Sequence, residues 1–395
     1  MRLSVRLIVS FGLLTGLVAA SVDMYLPAMP DLAKSLGSTT GQVQQTLSMF
    51  LLGAALGQAL FGPLADRYGR RNVLLLGTAI FTLASLFCTW AENVEQLTLL
   101  RLCQALGATC GAVIVQALIK DMFQREDAAR MMSYVMMVMT LIPLLAPMAG
   151  GYLLMWWGWQ SIFWCLSLCG LAALMLAYFL VPETLTAENR QPLHPRHVVR
   201  AYARIARHRR AMGYNLCAGF VFASMFAFIT GSPFVYIEYF GVAPHYYGYL
   251  FGVNILFMML CNFFNGRWLN RLGSERLLRT GVSVHVLATI FLLLASVTEL
   301  GGLIAVMVPC VVAVGVLGLV AANATTAALA CFDSHAGTVS GMLGITRMGL
   351  GGLSGAAVGI LHNGSILVMA AVMLVCALLA WLSLVLLVGP AERRF

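Results

Sequence analysis

Twelve long apolar runs, each close to the roughly 20 residues a helix needs to cross a bilayer, alternate with short polar breaks along this chain. The pattern predicts spans near 6–28, 43–64, 73–91, 96–117, 131–154, 160–181, 213–238, 246–267, 277–298, 303–328, 339–361 and 365–388. The longest break, Pro182 to Arg210, is rich in Pro, His and Arg and divides the runs six and six. The expectation is an all-α membrane protein of twelve transmembrane helices in two six-helix halves, 1–181 and 213–395, with a cytoplasmic linker over 182–212. Arg2 and Arg6 precede an apolar run ending in Val18-Ala19-Ala20, as in a secretory leader. That run continues through Asp23 to Pro30, so it reads as an uncleaved first span.

Composition agrees with the pattern. With 61% hydrophobic residues, 10% charged residues and a mean hydropathy of +0.88, the chain carries more apolar surface than a soluble core hides. The spans use nearly the whole 395 residues and leave no room for a separate soluble domain. The formal charge of +9 would suit nucleic acid, but its distribution argues for orientation instead. With the N-terminus inside, 21 of the 24 Lys and Arg fall in cytoplasmic segments, only Lys34 falls outside, and Arg101 and Arg347 lie within spans. This is the positive-inside pattern, and it puts both termini in the cytoplasm. The ten cysteines sit in apolar runs without metal-ligand spacing and read as small packing residues; no metal site is expected. No G-x-x-x-x-G-K-[ST] loop is present, so neither ATP hydrolysis nor a cofactor is expected, and energy must come from an ion gradient.

Gly62-Pro63-Leu64-Ala65-Asp66-Arg67-Tyr68-Gly69-Arg70-Arg71 separates the second and third spans. Its glycines and clustered charges predict a tight cytoplasmic hinge, with Asp66 serving as a latch and Arg67, Arg70 and Arg71 binding helix ends or anionic lipid. Gly266-Arg267-Trp268-Leu269-Asn270-Arg271-Leu272-Gly273 follows the eighth span in the same way, with Asn270 in place of the acid. The recurrence predicts two parallel halves with a substrate site between them near the midplane.

Charges inside spans are costly and by default functional. Asp23 lies about four residues before Pro27, roughly 6 Å deep, and Arg101 lies roughly 7 to 8 Å deep in the fourth span. Opposite charges at one level can pair, and Gln104, one turn on, can add a hydrogen bond. The alternative is an Asp23 that caps toward outside water and an Arg101 that extends outward along its own stem. In the fifth span, Pro143, Pro147, Gly150 and Gly151 predict a bend and a sliding surface. Arg347 lies roughly 12 Å into the eleventh span with no acid of the C-terminal half at its depth. It faces water, a carbonyl or an electron-rich substrate, or else extends inward. Tyr25, Gln58, Met136, Phe226, Tyr236 and Asn254 join Arg347 as candidate lining of a deformable cavity.

These motifs resemble a known family. Gly62 to Arg71 resembles the hinge signature of the major facilitator superfamily, Asp23 to Pro30 the D-x-x-x-P-x-x-P pattern of its drug exporters, and Arg101 to Ala105 the R-x-x-Q-G motif of the fourth span. Pro143 to Gly151 resembles the G-P-x-x-G-G motif of its antiporters, with Ala146 for the first Gly. Asn189-Arg190-Gln191-Pro192, Ser232 to Glu238 and Gly344 to Arg347 point to the Bcr/CflA branch. The resemblance implies the major facilitator fold and a proton-coupled antiporter, not an enzyme, in the bacterial inner membrane. It implies Asp23, Arg101 and Gln104 in proton coupling, and drugs of the bicyclomycin and chloramphenicol type as cargo; the unpartnered charge of Arg347 favours neutral or zwitterionic ones over permanent cations. The expected partners are protons, a small-molecule substrate and the lipid bilayer, with no nucleic acid, and the chain is expected to be a monomer. An exporter of an endogenous metabolite, such as an amino acid or nucleoside, uses the same machine. A non-transporting receptor would need neither Asp23 nor Arg101 in its membrane.

Overall fold

The computed structural model describes residues 5–185, 202–332 and 336–389. Most of the linker, with Asn189 to Pro192, lies outside the described residues, as do Arg2, Asp333, Arg393 and Arg394. The described residues are helical with no strand, and twelve helices are long and apolar enough to cross a membrane. Their outward residues, among them Leu83, Phe87, Leu168, Phe179, Leu294 and Val297, are large, apolar and exposed. In water that surface would be untenable; against acyl chains it costs nothing.

The chain divides into two compact units, Met1–His194 with Pro244–Gly248, and Pro195–Ala243 with Tyr249–Phe395. In the first unit, the first span is broken: α1 (Val5–Asp23) is followed by a single 3₁₀ turn, Leu26–Ala28, and α2 (Met29–Ser35). Pro27 and Pro30 account for the break, since each lacks the N–H that would continue the ladder. Then come α3 (Thr40–Tyr68), α4 (Arg70–Cys88), α5 (Val94–Met122), α6 (Arg125–Trp157) and α7 (Gln160–Leu180). Thr39 starts α3 with a capping box: its Oγ1 accepts from Gln42 N at 3.3 Å while its own N–H donates to Gln42 Oε1 at 2.9 Å. Asn93 caps α5 by accepting from Gln96 N at 2.9 Å.

Without a hydrophobic force between helices in lipid, small residues let backbones close up. A Cβ added to Gly111 of α5 would stand 2.2 Å from Leu14 O of α1, and one on Gly107 would stand 2.4 Å from Phe81 N of α4. The second span ends later than expected: α3 runs through Pro63 and Asp66 to Tyr68, so the ten-residue hinge is a turn at one residue only. Gly69 carries it at φ +96°, a conformation that side chains with a Cβ resist.

The second unit contains α8 (202–207), α9 (Arg209–Pro233), α10 (Pro244–Leu272), α11 (Ser274–Thr298), α12 (Gly302–Gly315), α13 (Leu317–Leu329), α14 (Ala336–Ile360) and α15 (Leu367–Ser383). Gly273 repeats the hinge geometry at φ +76° between α10 and α11. The tenth span is broken where α12 hands over to α13. Helix α9 is the hub: Ser354 of α14 donates to Ala223 O at 2.7 Å, and Ser224 donates to Met373 O of α15 at 3.2 Å. Ile205 of α8 joins the core formed by α9, α11, α13, α14 and α15.

Candidate functional site

The break in the first span creates the most unusual environment in the chain. Because α1 stops at Asp23, the carbonyls of its last turn lose their helix partners and form the negative end of its dipole. Arg101 of α5, fully buried, fills that end: its Nη1 donates to Ser21 O at 3.0 Å and to Gln104 Oε1 at 2.7 Å. Gln104 is anchored in turn, donating from Nε2 to Ser85 Oγ of α4 at 2.8 Å. The guanidinium lies 4.4 Å from the ring centre of Tyr25 and 4.4 Å from that of Phe50, with Phe163 at 6.0 Å. Tyr25 is itself fixed by a 2.6 Å hydrogen bond between its hydroxyl and Thr46 Oγ1.

The expected ion pair between Asp23 and Arg101 is absent. Among the described residues Asp23 makes neither an ion pair nor a hydrogen bond, although it is only 4% exposed. Two aromatic faces and two acceptors at Nη1 hold the cation in place of the carboxylate, in a water-free place where each counts for more, while its Nε and Nη2 are buried without a hydrogen-bond partner. Arg101 also does not extend outward along its stem; none of it reaches solvent. Tyr25 is consequently a wall of the arginine cage, with no exposed surface of its own. Phe50, Ser21 and Ser85 carried no signal in the sequence, because a phenylalanine or serine in an apolar run is unremarked unless its facing is known.

Beside this site, α6 continues unbroken through Pro143 and Pro147 and presents Gly150 to the Asp23 turn. A Cβ on Gly150 would stand 2.1 Å from Met24 O. Gly151 is buried as well, and Pro143 is half-buried.

At the hinge, the turn at Gly69 is tied to two other helix ends. The N–H groups of Arg70 and Arg71, the bare start of α4, donate to the two carboxylate oxygens of Glu183 at 3.0 and 3.2 Å. The Arg70 side chain pairs with Asp121 at the end of α5, and Thr184 also donates to that carboxylate, at 2.8 Å. Arg71 donates to Tyr178 O in the last turn of α7 at 2.8 Å, its guanidinium 5.2 Å over the Tyr178 ring. Arg67 stacks on Tyr68 at 5.1 Å. Asp66 is exposed and makes no hydrogen bond or ion pair among the described residues, and Gly62 sits inside α3 with open space where a Cβ would go. Asp121 and Glu183 are the hinge residues that the motif did not reveal; acids at helix ends were their one signal.

In the second unit, Arg347 of α14 is half-buried and donates from Nη2 to Thr325 Oγ1 of α13 at 2.5 Å and to Ala321 O at 3.5 Å. Of the other proposed cavity residues of this unit, Phe226 packs against α14 one turn from Arg347, where a Cβ added to Gly351 would stand 3.2 Å from its ring. Asn254 is buried and spends its amide on its own helix, donating to Leu250 O and Phe251 O at 3.1 and 3.2 Å. Tyr236 is buried against Phe228, and Phe226 meets Phe222 at 4.9 Å with the two rings tilted by 46°. In the first unit Gln58 is half-buried and Met136 is exposed on α6.

Comparison with known proteins places this geometry. Residues 11–356 match the Major Facilitator Superfamily. The chain is 34% identical to the bicyclomycin resistance protein homolog of Haemophilus influenzae, covering 89% of this chain and 88% of that one. It is 31% identical to the chloramphenicol resistance protein of Pseudomonas aeruginosa, covering 85% and 79%. The POT family transporter PepTSo shares its fold, with a TM-score of 0.76 at 14% identity over 97% of this chain and 98% of that one. A multi-pass membrane chain with twelve spans, a duplicated glycine hinge and this match along most of its length belongs to the Major Facilitator Superfamily, in the branch of the bicyclomycin and chloramphenicol resistance proteins.

Proposed function

We propose that this protein is a proton-driven antiporter that exports small neutral or zwitterionic drugs across the bacterial inner membrane, with both termini in the cytoplasm. One observation carries the reading: among the described residues, Asp23 is the one acid that is buried, it stands at a break in the first span, and no cation pairs with it. A carboxyl group so placed is costly unless it serves a proton relay. Asp23 takes up a proton in one conformation and gives it up in another, where the α1 break opens to water or turns toward Arg101. The Tyr25–Phe50 cage lets Arg101 stay charged and in place while Asp23 is neutral, so the two charges need not be handled together. The relatives' resistance to bicyclomycin and chloramphenicol, in their names, supports drugs as cargo. The hinge at Gly69, with Asp66 unpaired beside it, is the element that this cycle would latch and release.

The test is drug-induced proton release from energised everted vesicles carrying wild type or Asp23→Asn. The expected result is loss of drug-coupled proton movement with normal membrane insertion. Undiminished drug transport with normal proton release by Asp23→Asn overturns the reading.

A further inference from the structure

The turn at Gly273 repeats the geometry of the turn at Gly69 but not its chemistry. Around Gly69 all three arginines are engaged: Arg67 stacks on Tyr68, Arg70 pairs with Asp121, and Arg71 donates to Tyr178 O, while Glu183 caps the start of α4. Around Gly273, Arg267 and Arg271 of α10 and Arg276 of α11 are exposed and have no ion pair, hydrogen bond or ring partner among the described residues. No side chain caps the start of α11. Glu275, the one acid of the second unit at this end of its spans among the described residues, is committed to Arg279 at 2.9 Å. Glu238 and Glu299 stand at the far ends of the seventh and ninth spans. Orientation in the membrane requires positive charge on this side, but it does not require the charge to be left unpaired. The Gly69 turn serves orientation with its arginines engaged.

The surface that leads to these arginines is apolar. Leu256, Leu260, Phe263, Arg267 and Arg271 recur every three or four residues along α10 and so form one stripe. Its three apolar members are 54%, 48% and 66% exposed, so the chain itself leaves the stripe uncovered. Beside its charged end, the exposed Trp268 stacks on Phe264 with ring centres 5.0 Å apart, an amphipathic ring of the kind that sits at headgroup level. From Leu256 to Arg271 the stripe is about 22 Å long at 1.5 Å per residue, half of the roughly 40–45 Å of a bilayer with its headgroups. That is the length of one lipid. We propose that the stripe and the turn form a seat for one anionic phospholipid, its phosphodiester held by Arg267, Arg271 and Arg276 and its acyl chain lying along Leu256, Leu260 and Phe263. The three unpaired cations supply the complementary charge that a zwitterionic headgroup would meet only in part. A second copy of this chain would bring the same cations to the contact and be repelled, and a free phosphate would leave the apolar stripe bare. The seat depends on the membrane-spanning fold and on neither the cargo nor the coupling ion.

The experiment is native mass spectrometry of the full-length protein in detergent with equimolar phosphatidylglycerol and phosphatidylcholine of matched acyl chains, which differ in net charge. The readout is the ratio of the two lipids retained. An arginine at the headgroup layer favours anionic lipid by about fivefold, so Arg267→Gln, Arg271→Gln and Arg276→Gln combined should lower the preference for phosphatidylglycerol by about tenfold or more. Tm in lipid-free detergent should stay the same, since these side chains have no partner in the protein to lose. Lysine at the three positions should keep most of the preference. Glutamine at Arg204 and Arg207, which are also exposed, on α8, should leave it intact. Excess inorganic phosphate should not displace the bound lipid. A preference unchanged in the triple glutamine variant overturns the proposal, as does one lowered equally by Arg204→Gln with Arg207→Gln. A wild type that retains both lipids alike, displacement by inorganic phosphate, or a protein dimer in place of bound lipid overturns it too.

Discussion

Gly150→Ala is the sharpest test of how closely the fifth span is fitted to the Asp23 turn. The added methyl would stand 2.1 Å from Met24 O, 2.8 Å from Met24 C and 2.9 Å from Met24 Cα, all backbone atoms that cannot rotate away. Real contacts of this kind stop near 3.0 Å, so α6 and the end of α1 must part by at least about 0.9 Å. Overpacking of this sort costs about 1–3 kcal/mol. For a unit of this size that is about 2–4 °C in Tm per kcal/mol. A matched control exists in Gly62, a helical glycine of the hinge motif with no atom within 4 Å of its absent Cβ. Gly62→Ala should gain about 0.5–1 kcal/mol of helix stability. The assay is thermal unfolding in detergent read by a thiol-reactive dye, since Cys88, Cys110 and other free cysteines are buried until the helices separate. It is paired with drug export at equal expression. Gly150→Ala alone should show a lower Tm and impaired export. Equal Tm and equal export for Gly150→Ala and wild type would refute it, because nothing in that turn could then be close-packed.

Phe50→Leu should remove one face of the arginine cage, at a cost of about 2 kcal/mol for a desolvated cation–π contact, and lower Tm, whereas Phe50→Tyr should keep most of both; identical melting of the two variants would count against the cage. Glu183→Gln should weaken the start of α4 by about 0.5–2 kcal/mol, as expected for loss of a charged cap on two N–H groups, visible as faster proteolysis at the hinge. Asp121→Asn breaks a pair whose members are 15% and 29% exposed, so its cost should stay near 1 kcal/mol or below and fade in high salt. Asp66→Asn should shift the balance of inward-open and outward-open states in a distance-label measurement with little change in Tm, since Asp66 is exposed and makes no hydrogen bond or ion pair among the described residues; an unchanged balance removes the latch role.

Much of this protein was legible in the chain itself. Bilayer thickness sets a minimum apolar length, and any run that meets it becomes a span, so twelve spans follow from composition and length alone. The hinge was legible for a related reason: Gly69 and Gly273 sit at one-residue turns with φ of +96° and +76°, which few other residues tolerate, so the backbone requirement leaves a mark on the sequence. Pro27 and Pro30, which remove helix hydrogen bonds wherever they stand, suggested an end to the first span soon after Asp23; α1 does stop there, but the span resumes in α2 and continues to Ser35. What tertiary structure decided is which faces meet. In a soluble helix the polar face shows where the core is, but a span surrounded by lipid is apolar all round, so Phe50 could not be told from a lipid-facing phenylalanine. For the same reason the sequence suggested that Arg101 would meet the opposite charge at its depth, whereas packing offered it the bare carbonyl of Ser21, Gln104 and two rings. Thr325 as the holder of Arg347, and Met24 as the backbone beneath Gly150, belong to the same class. Contacts between different helices are fixed by side-chain size and helix rotation, which no periodicity within one apolar run can encode.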